Sequence, residues 1–93
     1  MTAPQGIASM AALRAEIDAL DAKIVAALAA RARLIDRAAE VKRAEGLEAR
    51  IPARVEQVVA QVRAAAQAEG LDPALAEALW RQIIEWSIVR EEA

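Results

Sequence analysis

The sequence predicts an all-α protein with three helices in each chain, the first of them very long. Three observations carry this. Apolar residues repeat at helical spacing from Leu13 to Val41 with no glycine or proline among them. Two breaks, "AEGLEARIP" and "GLDP", each pair a glycine stop with a proline start. The chain has 93 residues, near the small end of what buries a self-sufficient core, and its 57% hydrophobic content is rich in alanine with no Phe or Tyr to add bulk. A second copy of the chain would supply the missing burial, so a homodimer is expected.

The opening residues 1–9 are small, polar or glycine-containing and read as a flexible N-terminal arm; residues 10–93 read as one helical domain. Leu13, Ile17, Leu20, Ile24, Leu28, Ile35 and Val41 then keep the helical period, which gives a first helix of more than thirty residues. At 1.5 Å per residue it is roughly 50 Å long, too long a rod for so small a globule to cover. Gly46 permits the left-handed stop, and Pro52 fits the first turn of the next helix. The second helix runs from Pro52 to Glu69 with Val55, Val58, Val59 and Val62 on one face. Gly70 ends it, Asp72 is the expected N-cap and Pro73 the first residue of the third helix. That helix carries Leu75, Leu79, Trp80, Ile83, Ile84, Ser87 and Ile88 at helical spacing.

Composition narrows the chemistry. The formal net charge of -2 argues against a nucleic-acid partner, which normally needs a basic field over one face. There is no cysteine and no histidine. Thiol nucleophiles, thiolate metal sites and imidazole triads are thereby excluded, and no metal or cofactor motif is present. An enzyme built from these residues must catalyse a reaction with little proton transfer and no covalent intermediate. The first ten residues lack the charged and apolar regions of a signal peptide, and no apolar run approaches membrane-spanning length, so a cytoplasmic protein without membrane contact is expected.

The most informative irregularity lies in "LAARARLIDRAAEVK". A buried helical seam through Ile24, Leu28, Ile35 and Ala38 would also include positions 31 and 42, which are Arg31 and Lys42. At 100° per residue they lie within about 20° of one another and about 16 Å apart along the axis. Cations in a seam call for something negative. Arg14 is roughly 42 Å from Lys42 along the same helix, so one small ligand cannot touch both within one chain. Arg14 would have to serve the other copy's site. Arg33, Arg37 and Arg43 read as surface cations whose stems cover apolar area. Arg54 occupies the first turn of the second helix, where the dipole and free N–H groups favour an anion. Ser87 and Glu91, four apart, put a hydroxyl and a carboxyl on one face of the third helix.

"LRAEIDALDAKIVAALAAR", Leu13 to Arg31, resembles the opening helix of the all-helical (AroQ class) chorismate mutases, and Lys42, Arg54, "GLDP" and "WRQIIEWSI" continue the likeness in order. It covers nearly the whole chain after the arm. The resemblance implies an intertwined homodimer of three-helix protomers that rearranges chorismate to prephenate in aromatic amino acid biosynthesis. It also implies that Arg14 (in trans), Arg31, Arg54 and Ser87 hold the carboxylates of a dianionic substrate, while Lys42 and Glu91 contact the ether oxygen of the breaking bond. Arg31, Lys42 and Glu91 are then the catalytic set. No cofactor is implied. A pericyclic rearrangement needs a compact substrate and stabilised negative charge on that oxygen, which agrees with the absence of histidine and cysteine.

Three departures keep an alternative open. Many relatives carry acidic residues at the places of Ile51 and Val55, to bind the substrate's ring hydroxyl. "RIPARV" and Trp86 look similar to the isochorismate-pyruvate lyases, which yield salicylate and pyruvate from the same fold and cations. Glu91 stands where many relatives have glutamine, and the sequence leaves its protonation open. A third reading, a catalytically silent helical dimerisation module, predicts apolar residues at 31 and 42 and fits least.

Overall fold

The computed structural model describes Gly6 and residues 8–93. Residues 1–5 and 7 of the expected arm lie outside the described residues. Among the described residues there are three α-helices and no strand: α1 Met10–Glu45, α2 Pro52–Glu69 and α3 Pro73–Glu92. The all-α prediction and the long first helix, 36 residues, stand.

Each helix end has a local cause. Ser9, assigned to the arm by its polarity, is where α1 is capped: its Oγ accepts from the Ala12 N–H at 3.1 Å. Gly46, at φ 71°, ends α1. Its N–H donates to the Arg43 carbonyl at 3.3 Å and the Leu47 N–H to the Lys42 carbonyl at 2.8 Å, the paired bonds of a Schellman turn. The same pattern closes α2, with Gly70 at φ 75° donating to Gln67 and Leu71 to Ala66. α2 starts without a side-chain cap, because Ile51 occupies the N-cap position ahead of Pro52. α3 has the expected start: Asp72 Oδ1 accepts from the Ala74 N–H at 2.9 Å.

The chain divides into two compact units, one ending at Arg33 and one running Leu34–Ala93. In the first, Ile17, Leu20, Ile24 and Val25 on α1 are exposed, so the apolar period there faces solvent. In the second, α2 packs on α3. Val59, Ile84 and Ile88 form its core, with Ala49, Val55, Val58 and Trp80 against them.

Two details of the expected core differ. On α1 the buried position is Ala39, with Ile35, Ala38 and Lys42 half-buried around it, whereas Ile24 and Leu28 are exposed. On α3, Leu75 and Leu79 are exposed, while Ala76, Ile84, Ser87, Ile88 and Glu91 are buried. The cause is that α3 is apolar on two faces. Leu75, Leu79, Trp86 and Val89 share one line, and the buried residues share another about 150° away at 100° per residue. Ala66 on α2 and Ala76 on α3, both small, are buried along with that second face.

Five arginines bind carboxylates over this unit, among them Arg37, which takes Glu40 at 2.7 Å. Arg81 forks onto Glu56 at 3.2 and 3.1 Å and reaches Glu77 at 2.8 Å, which Arg63 also holds at 2.8 Å. Arg50 takes Glu85 at 2.5 and 2.8 Å, and Arg90 takes Asp36 at 2.8 and 3.2 Å. The hydrogen bonds from three of these guanidinium groups, Arg81 for Glu56 and Glu77, Arg50 for Glu85 and Arg90 for Asp36, hold those four carboxyls below their ordinary range. A depressed folded-state pKa contributes stability that is present above the unfolded value and lost as pH falls through the folded one. The melting temperature is therefore expected to drop on acidification through and below the usual carboxylate range. Added salt should shrink that drop, because the pairs are exposed and screened. A melting temperature flat over that range at low salt would contradict it.

Candidate active site

The site is built around the C-terminal end of α1. The Schellman turn at Gly46 reverses the chain so that the Ala49 carbonyl returns to the end of the helix, where it accepts from Lys42 Nζ at 2.7 Å. Lys42 thus anchors the turn twice, by its own carbonyl to Leu47 and by its ammonium to Ala49. The same Nζ donates to Glu91 Oε2 at 3.1 Å, joining residues 49 positions apart. The Lys42 side chain is 23% exposed and that of Glu91 5%. A carboxyl group so well covered needs a hydrogen-bond partner, and the Lys42 ammonium supplies one.

Ser87 lies one turn before Glu91 and is likewise buried. Its Oγ donates to the Ile83 carbonyl at 2.8 Å, a bond back along its own helix. Arg54 stands in the first turn of α2, exposed, with one guanidinium nitrogen donating to Gln57 Oε1 at 2.9 Å. Ile51 and Val55 flank it, both half-buried, and Val55 is committed to the Val59–Ile84–Ile88 core. Of the six residues singled out in the sequence, Lys42 and Glu91 are brought into contact and Ser87 sits beside Glu91 on α3. Arg54 is bonded within α2. Arg14, exposed, and Arg31, half-buried, belong to the unit that ends at Arg33.

Two participants escaped the sequence reading. The Ala49 carbonyl carries no side-chain signal; the only hint was a lysine four residues before a helix-ending glycine. Arg90 was not singled out by its spacing, yet it forks onto Asp36 with its guanidinium 5.8 Å from the centre of the Trp86 ring. Among the described residues no helix is long and apolar enough to cross a membrane.

The family model described as chorismate mutase type II matches residues 13–92. The T-protein of Enterobacter agglomerans is 34% identical over 85 residues, which is 91% of this chain and 23% of that protein. The chain thus spans about a quarter of the length of the curated relative it matches. Because the family match runs through all three helices and includes every residue of the site, the chain belongs to the chorismate mutase type II family.

Proposed function

We propose that the chain is a chorismate mutase that works as a homodimer. In the rearrangement the ether C–O bond breaks as a C–C bond forms, and the electrons move in one cycle with no proton gained or lost. The protein has to hold a dianion compact and stabilise charge on the departing oxygen. The observation that carries the reading is Lys42. Its ammonium is fixed by the Ala49 carbonyl and by Glu91, and these use two of its three N–H bonds. The third is available to an ether oxygen. Arg31, Arg54 and Ser87, with Arg14 of the partner subunit, take the substrate carboxylates.

Glu91 acts in this proposal as the neutral acid. An ionised carboxylate beside the ether oxygen would repel the charge developing there, whereas a protonated one donates a hydrogen bond, as glutamine does. Glu91→Gln is therefore expected to keep turnover, since the amide donates from the same place, whereas Glu91→Ala should lose most of it. A Glu91→Ala rate within a few-fold of wild type would take Glu91 away from the ether oxygen.

Isochorismate-pyruvate lyase is the second reading, and Ile51 and Val55 favour it. Both are aliphatic, and Val55 faces the core, so the start of α2 offers no acid to a ring hydroxyl. Incubation with chorismate and with isochorismate, followed for prephenate, salicylate and pyruvate, separates the readings. Turnover of chorismate alone supports the mutase, turnover of isochorismate alone overturns it in favour of the lyase, and turnover of neither leaves a silent dimerisation module.

A further inference from the structure

Glu91 is the last buried residue of α3, and only Glu92 follows it in the helix. Helix ends fray, and a side chain in the final turn keeps its place only if tertiary contacts hold that turn. Lys42 provides one such contact. A single contact leaves the turn able to rotate about the helix axis and to carry the carboxyl away.

The second contact is made by the neighbouring residue. Arg90 forks onto Asp36, with Nε on Oδ1 at 2.8 Å and an NH2 nitrogen on Oδ2 at 3.2 Å. Its guanidinium also lies 5.8 Å from the centre of the Trp86 ring, one turn earlier on α3, where the aromatic ring attracts the cation and limits its swing. Arg90 and Glu91 project about 100° apart, and Asp36 and Lys42 are about 9 Å apart along α1. Two attachments in different directions fix the rotation of the last turn as well as its distance from α1. The two attachments are not interchangeable, since exchanging them would set the Arg90 cation against the Lys42 ammonium.

We propose that Asp36, Arg90 and Trp86 form a positioning clamp that holds the Glu91 carboxyl in register with Lys42, on which the turnover assigned above depends. Arg90 is a positioning residue that acts through Glu91 and touches no substrate. The inference rests on the mutase reading, with Glu91 as a transition-state donor. An exposed ion pair adds little to stability, yet a displacement of about 1 Å at a reacting centre costs about a hundredfold in rate. The clamp should therefore be visible in kcat well before it is visible in melting.

The test combines kinetics with amide hydrogen exchange. Arg90→Ala and Asp36→Asn are each expected to lower kcat by about tenfold or more with little change in KM, the signature of an interaction realised in the transition state. Arg90→Lys should recover only part of the loss, because an ammonium lacks the fork. In a Glu91→Ala background Arg90→Ala should add nothing further. Arg63→Ala, which breaks the exposed pair with Glu77 elsewhere in the unit, is the control and should leave kcat unchanged. An Arg90→Ala kcat within about twofold of wild type, or the same loss with and without Glu91, overturns the proposal. If the wild-type protein turns over neither chorismate nor isochorismate, the mutase reading fails by itself and exchange decides the clamp. Faster exchange over residues 89–92 in Arg90→Ala then supports it, and unchanged exchange overturns it.

Discussion

Lys42→Ala is expected to lower turnover by about 10²- to 10³-fold, the scale for removing a preorganised donor from a developing oxyanion. Helix propensity alone predicts that the variant folds as well as wild type or better, because alanine is the better helix former. The structure reverses that second expectation. The ammonium holds the Ala49 carbonyl at 2.7 Å and the Glu91 carboxyl at 3.1 Å, and the Glu91 side chain is only 5% exposed. Truncation strands a covered carboxyl and frees the turn after α1. Lys42 itself is partly exposed, so a loss of about 1–3 kcal/mol is expected rather than the full penalty of a deeply buried pair. The double variant Lys42→Ala/Glu91→Ala should regain most of that stability and none of the turnover. Steady-state rates with thermal melts of wild type and the two variants check this, and a Lys42→Ala rate within a few-fold of wild type would reduce Lys42 to a structural tie.

The second large effect is recovery on mixing. Arg14→Ala and Arg31→Ala proteins are each expected to be nearly inactive, since each lacks one carboxylate-binding cation at every site. If Arg14 serves the other subunit, a mixed dimer has one site with both arginines and one with neither. After random exchange half of the dimers are mixed, so an equal mixture should return about a quarter of wild-type activity. The exposed Ile17, Leu20, Ile24 and Val25 of α1 motivate the experiment, because a second helix is the most economical cover for such a face. Mass spectrometry of differently tagged chains establishes that subunits have exchanged. No recovery once they have would count against the shared-site model.

What the sequence made legible here was local. Gly46, Gly70, Asp72 and Pro73 act within a few residues of themselves, so their letters suffice to locate helix ends. Lys42 was legible as a cation on an apolar period. The contacts that complete the site are remote or unlettered. Lys42 to Glu91 spans 49 positions and Arg90 to Asp36 spans 54, and a backbone carbonyl such as that of Ala49 has no residue type to betray it. Leu75 and Leu79 misled because periodicity weights a residue by its hydrophobicity. Burial at the α2–α3 contact depends instead on how closely backbones can approach, and alanine is favoured there for its size. Ser9 was overlooked because a cap reads as polar tail until the first hydrogen bond of the helix is located.

Gly46 ties the site to the handedness of the chain. It sits at φ 71° with no side-chain or remote backbone atom within 4 Å of where a β-carbon would stand, and Gly70 at φ 75° is the same. Any L-residue at either place therefore meets no steric neighbour, and its cost is that of chirality alone, about 1–2 kcal/mol. A D-residue does not carry that chirality cost. D-Ala at position 46, introduced by chemical ligation, should raise the melting temperature by narrowing the unfolded chain's choices while keeping the turn that returns Ala49 to Lys42. L-Ala at the same position should lower it. Equal melting temperatures for the two epimers would mean that the turn does not require the mirror-image conformation, and that the ammonium of Lys42 is held by something other than the path of the backbone.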